Sequence, residues 1–115
     1  MKPKDFVAGL RENVIDENIS IYKNLFSNTS IEKVTDQYWK NVLALFQSLP
    51  SEQQAVFFEL IRQTMIDTTS NILGILDGVS TLNGANDEFT LTYGKSQETL
   101  TGDLQSLFLA EEETI

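Results

Sequence analysis

Apolar residues return along the first half of this chain at the spacing of a helix. Phe6, Leu10 and Val14 recur every four residues, and Ile15, Ile19, Tyr22 and Phe26 continue the stripe with a slight drift. That pattern predicts a helix over residues 6–26. Pro3 suits its first turn, where no backbone donor is needed. The run Ser27-Asn28-Thr29-Ser30 interrupts the stripe, and Thr29 with Glu32 matches a capping box, so a second helix is expected over 31–48. Val34, Tyr38, Val42, Leu45, Phe46 and Leu49 share the face it is expected to bury, with Trp39 at the edge.

Pro50 disfavours continuing that helix. Ser51 with Gln54 forms another capping box, which opens a long third helix over 52–77. Phe57, Ile61, Met65, Ile72 and Leu76 mark its stripe, and Phe58, Leu60, Ile66, Leu73 and Ile75 widen it, as in a central helix with several neighbours. Thr68-Thr69-Ser70 is weak helix material and a place for a bend. After Gly78 the period changes from helical to two. Residues 88–93 alternate apolar with polar, Gly94-Lys95 offers a turn, and 97–100 form a returning strand. Such a hairpin is marginal alone and must lean on the helices. Thr101 or Gly102 opens a last short helix with Leu104, Leu107 and Phe108 on one face, and Glu111-Glu112-Glu113 is expected to fray.

The expected architecture is therefore α+β, mainly α: a three-helix core with a small C-terminal β-hairpin and a short terminal helix. Its 115 residues make one domain, with a helical part over 1–78 and the hairpin and terminal helix over 79–115.

Charge narrows the partners. The chain holds 8 Lys+Arg against 17 Asp+Glu, a net charge of −9. This opposes binding to nucleic acid, which needs cations to displace phosphate counterions, and docking on an anionic membrane. It suits a basic protein partner. With no Cys and no His, thiolate chemistry, cysteine-zinc sites and the commonest general base are all excluded. The N-terminal MKPKDFVAGLREN lacks a long apolar run, so neither a secretory signal nor a spanning helix is expected, and a cytoplasmic location is.

One stretch imitates a metal site. In LDGVSTLNGANDE, Asp77 and Glu88 stand at the first and twelfth positions of a calcium-loop span. Val79 and Leu82 occupy the third and sixth, where an oxygen ligand and glycine are required. The stretch is better explained as a joint: Gly78 caps the long helix, Leu82 tucks back onto the core, and Asn83-Gly84 turns toward the hairpin. Asp77, Asp87 and Glu88 are then exposed acids for a partner, and Trp39 is the aromatic candidate anchor. Gly94-Lys95-Ser96 lacks the upstream glycine of a phosphate loop, since Phe89 stands there. No serine lies in a nucleophile elbow, no cofactor is implied, and the paired acids are expected to be a solvated face.

The runs ILGILDGVSTL, EFTLTYG and LTGDLQSLFLAEEE, in a region that begins at YWKNVLALF, resemble small bacterial proteins similar to immunity proteins of polymorphic and contact-dependent toxin systems. The resemblance spans about the C-terminal two-thirds and carries no catalytic residue across. It implies a stoichiometric partner that covers a basic toxin domain. The expected function is thus a non-enzymatic, acidic protein-binding module. The alternatives are a carboxylate-based metal-dependent enzyme and a structural homo-oligomer that hides the broad apolar face of the third helix.

Overall fold

The computed structural model describes residues 1–113. Its elements are α1 (Pro3–Leu10), a π-helical stretch (Arg11–Asp16), α2 (Glu17–Asn28), a 3-10 turn (Ile31–Lys33), α3 (Gln37–Ser48), α4 (Ser51–Leu76), β1 (Thr92–Tyr93), β2 (Glu98–Thr99) and α5 (Leu104–Glu113). The chain is mainly α with one antiparallel two-stranded hairpin, the α+β class expected from the pattern. Among the described residues no helix is long and apolar enough to cross a membrane.

The first helix begins as expected, with Pro3 in the first turn and the Asp5 carboxylate accepting from the Lys2 backbone N–H at 3.1 Å. Its interior differs from a plain α-helix. The buried positions Val7, Arg11, Ile15 and Ile19 are four apart. An α-turn holds 3.6 residues, so a strict four-residue spacing drifts around the axis. The wider π-turn over Arg11–Asp16 absorbs that drift and keeps these residues on one side. Val14, expected on the stripe, is left exposed.

The second helix starts later than expected, at Gln37, and Thr29 does not cap it. Asp36 does, its carboxylate accepting from the Tyr38 N–H at 3.1 Å. A short aspartate side chain bonds the first free N–H groups, and β-branched Val34 and Thr35 favour extended backbone before it. α4 carries Ser51 as its first helical residue, so Ser51 with Gln54 is not a capping box. Gln54 instead reaches back with Nε2 to the Phe46 carbonyl at 3.1 Å. α4 runs through Thr68-Thr69-Ser70 as continuous α-helix and ends where expected. Gly78 has φ +81°, a region costly for any residue with a Cβ. The Val79 N–H meets the Gly74 carbonyl at 2.8 Å and the Gly78 N–H meets that of Ile75 at 3.2 Å, the two bonds of a Schellman cap.

The hairpin is shorter than expected, pairing only Thr92 with Thr99 and Tyr93 with Glu98. The Leu100 N–H to the Leu91 carbonyl, at 2.8 Å, adds one bond beyond the strands. Leu100 is buried and Leu91 packs on the helices, so these two residues anchor it. Leu82 is about half exposed rather than tucked onto the core; it opens the Asn83-Gly84 turn, its carbonyl accepting from the Ala85 N–H at 3.0 Å.

Most of the buried apolar residues gather in two places. Val7, Ile15, Ile66, Leu73, Leu104 and Phe108 form one cluster among α1, the π-turn, the second half of α4 and α5. Phe26, Leu43 and Phe46 form the other, among α2, α3 and the first half of α4. The molecule is drawn out accordingly. Its radius of gyration is 17.9 Å, where a compact chain of this length has about 13 Å.

Candidate functional site

Around the second cluster the rings are close. Phe26 lies 5.0 Å from Phe46, and its edge meets Phe57 at 5.4 Å and Phe58 at 5.8 Å between centroids. Trp39 continues the array, 6.3 Å from Tyr22 and 5.5 Å from Tyr38. Between α3 and α4 this array is open to solvent. The gap is a groove of about 450 Å³. Tyr38, Trp39, Val42 and Leu45 wall it on α3, Phe57, Leu60, Ile61 and Met65 on α4, and Tyr22 and Phe26 form the floor.

Among the described residues no charged side chain lines this groove. Thr64 turns its hydroxyl away, donating to the Leu60 carbonyl at 2.8 Å. Several lining residues are far more exposed than such side chains usually are: Leu60 is 65% exposed, Tyr38 62% and Leu45 55%. Tyr38 and Leu45 were expected inside. α3 does present one apolar face, but only Leu43 and Phe46 on it are buried, Phe46 against the rings of Phe57 and Phe58 on α4. Periodicity shows that a face is apolar, not that it is covered. Trp39 is half-buried at the edge of that face, where the sequence pattern set it.

The other candidate residues lie elsewhere. From Phe57, beside the groove, to Asp77 is about 30 Å along α4 at the α-helical rise. Asp77 is half-buried, and both its oxygens are engaged: Oδ1 accepts from the Gly102 N–H and Oδ2 from the Gln105 N–H, each at 2.8 Å. It holds the head of α5 and is not an exposed acid awaiting a partner. A carboxylate there satisfies unpaired N–H groups and faces the positive end of the helix. Asp87 and Glu88 are exposed as expected, and the Asp87 carboxylate accepts its neighbour's N–H at 2.7 Å. Trp39 and Asp77 are therefore not brought to one site. Among the described residues no three acids come together as a metal cage would need.

A second polar constellation, absent from the sequence reading, sits at the tail of α5. Arg11 is buried, 7% exposed in its side chain, and lies over the Phe108 ring at 4.5 Å. Its Nη2 donates to the Phe108 carbonyl at 2.6 Å, its Nε to Glu111 at 3.4 Å, and its Nη1 to Glu112. Arg62 also grips Glu112, through Nη1 and through Nη2 at 3.3 Å. The hydrogen bond from Arg62 outweighs partial burial and sets the Glu112 carboxyl below its ordinary range, aided by the charges of Arg62 and Arg11. The same bond raises Arg62 above its ordinary value. Glu111 and Glu112 are thus the clasp of α5, not a fraying tail. Arg11 itself was the available signal, a charge at a four-residue spacing otherwise filled by Val7, Ile15 and Ile19.

Comparison of the chain with protein-family models, curated proteins and solved structures gives no match.

Proposed function

We propose that this chain is a non-catalytic protein-binding module and that the α3–α4 groove is its docking surface. The observation that carries the reading is the groove's lining. Among the described residues its lining offers aliphatic carbon, aromatic rings and the phenols of Tyr22 and Tyr38, and no carboxylate or amine on which to build a reaction. Rings beside exposed leucines in a concave patch are what a protein partner uses as an anchor site. At the finer level the module is an immunity-type protein that neutralises a basic toxin domain. This rests on the family resemblance, and the net charge of −9 supports it by steering a cationic partner.

Two measurements test these levels. Trp39 is the only tryptophan, so its emission reports on the groove. Association at the groove should shift that emission, and Leu60→Glu should abolish the shift. Protein association that leaves Trp39 unchanged and ignores Leu60→Glu overturns the docking surface. For the immunity reading, a neighbouring gene should encode a secreted protein with a basic C-terminal toxin domain, and calorimetry with that domain should give one saturable complex. Its affinity should fall as salt rises. No heat of binding with that domain, at low salt, overturns it.

A further inference from the structure

The structure exposes 8123 Å², where a compact monomer of 13.0 kDa exposes about 6,300 Å². The excess, about 1,800 Å², is more than twice the roughly 800 Å² that each partner contributes to a standard interface. Elongation produces the excess, and the open aromatic cluster shows where much of it is apolar. That cluster has only Phe26, Leu43 and Phe46 fully inside, with Tyr22, Trp39, Val42, Phe57, Phe58 and Ile61 half-covered around them. A core in that condition resembles one cut in half, which is how obligate homodimer interfaces look. Charge agrees. Along α3 the only charged side chain is Lys40, and along α4 they are Glu52, Glu59, Arg62 and Asp67, none of which lines the groove. Charge depletion at the centre of a patch, with aromatic enrichment, marks interface cores, and homodimer cores are the most apolar.

We infer that the protein filling the groove is a second copy of this chain. The inference rests on the reading of the groove as a docking surface and names its occupant. The face carries both halves of a self-complementary contact. Leu60 and Val56 make an exposed ridge one turn apart on α4, beside the groove walled by Tyr38, Trp39 and Leu45. A two-fold axis across the face sets the ridge of each copy into the groove of the other, and the α3–α4 pairs close into a four-helix layer. The assembly covers the aromatic cluster. It leaves the exposed acids Glu12, Asp16 and Glu17, on the π-turn and α2, at the surface.

Light scattering across a dilution series, with Trp39 emission followed in parallel, tests this. The expected result is a mass of twice 13.0 kDa at high concentration and a Trp39 shift on dissociation. Leu60→Glu should weaken the dimer at least about tenfold, as loss of a central anchor does, while circular dichroism shows the helices intact. Val79→Glu, at an equally exposed apolar position outside the groove, should leave the dimer unchanged. Salt discriminates further. Two copies at −9 repel, so the homodimer should hold or tighten as salt rises. A 13.0 kDa monomer at millimolar concentration overturns the inference. If a different protein then shifts Trp39, the docking surface survives with another occupant. If nothing does, both readings fall. A dimer indifferent to Leu60→Glu overturns the inference as well.

Discussion

The two apolar clusters are built from the same α4 helix, yet they are held in different ways. The cluster around Phe108 is closed and tied by directional bonds. Asp77 grips the head of α5, Gln105 in its first turn donates through Nε2 to the Ser70 carbonyl at 3.0 Å and hydroxyl at 3.2 Å, and Arg11 with Arg62 takes the tail. The cluster around Phe26 is open. Gln54 ties α4 to α3, and otherwise rings meet rings at tilted and edge-on angles. Satisfied polar networks at low dielectric fix one arrangement. Aromatic contacts have broad minima and accept small shifts. One end of the molecule is specified from within, and the other is left to be completed from outside.

Substitutions can break or sharpen that contrast. Phe108→Ala, at a fully buried site, should cost about 3–5 kcal/mol in urea unfolding, whereas Leu60→Ala should change protomer stability by less than about 0.5 kcal/mol. Equal losses would erase the distinction between a closed and an open cluster. Arg11→Met should cost about 2–3 kcal/mol, since it strips a buried cation from the Phe108 carbonyl and from two glutamates while Arg62 still holds Glu112. A double-mutant cycle with Glu112→Gln should show coupling, and additive losses would dissolve the clasp. Asp77→Ala should cost about 1–2 kcal/mol, a lost cap, and speed amide exchange at Gly102 and Gln105.

The smallest effect is acidic. The Glu112 carboxyl is set low in the folded chain, so its contribution is fully present above the ordinary glutamate pKa of about 4.3. It is lost as pH falls through the lower folded value. Denaturation midpoints from pH 7 down to pH 3 should therefore fall less in Glu112→Gln than in the parent chain. Parallel curves would remove Glu112 as a source of the acid response.

What the sequence made legible depended on how local the cause was. α4 announced itself through Pro50 before it and Asp77-Gly78 after it, both positions where backbone geometry dictates the residue. The hairpin turn followed from Gly94, at φ +77°. The Asp36 cap was as local as these, but it was masked by the competing Thr29–Glu32 pair and by an apolar stripe extended too early. The Arg11 clasp was illegible for a different reason: its partners lie about a hundred positions away, and periodicity carries no information over that span. For the groove, Trp39 was identified, but Leu45 and Leu60 were counted with the packed faces. Whether an apolar face is covered is decided by the packing of α2, α3 and α4 together, and no single segment records it.

The clasp between Arg11 and α5 also sets an order of events as the chain leaves the ribosome. Every member of the aromatic cluster lies between Tyr22 and Ile61. That cluster is complete in sequence while Leu104 and Phe108 have yet to be made. Domains form from the N-terminal side as synthesis proceeds, at about 5–20 residues per second. The open end can therefore gather its rings for several seconds while Arg11 waits without Glu111 or Glu112. A chain truncated after residue 80 should therefore protect Phe26 and Phe46 but leave Val7 and Ile15 accessible.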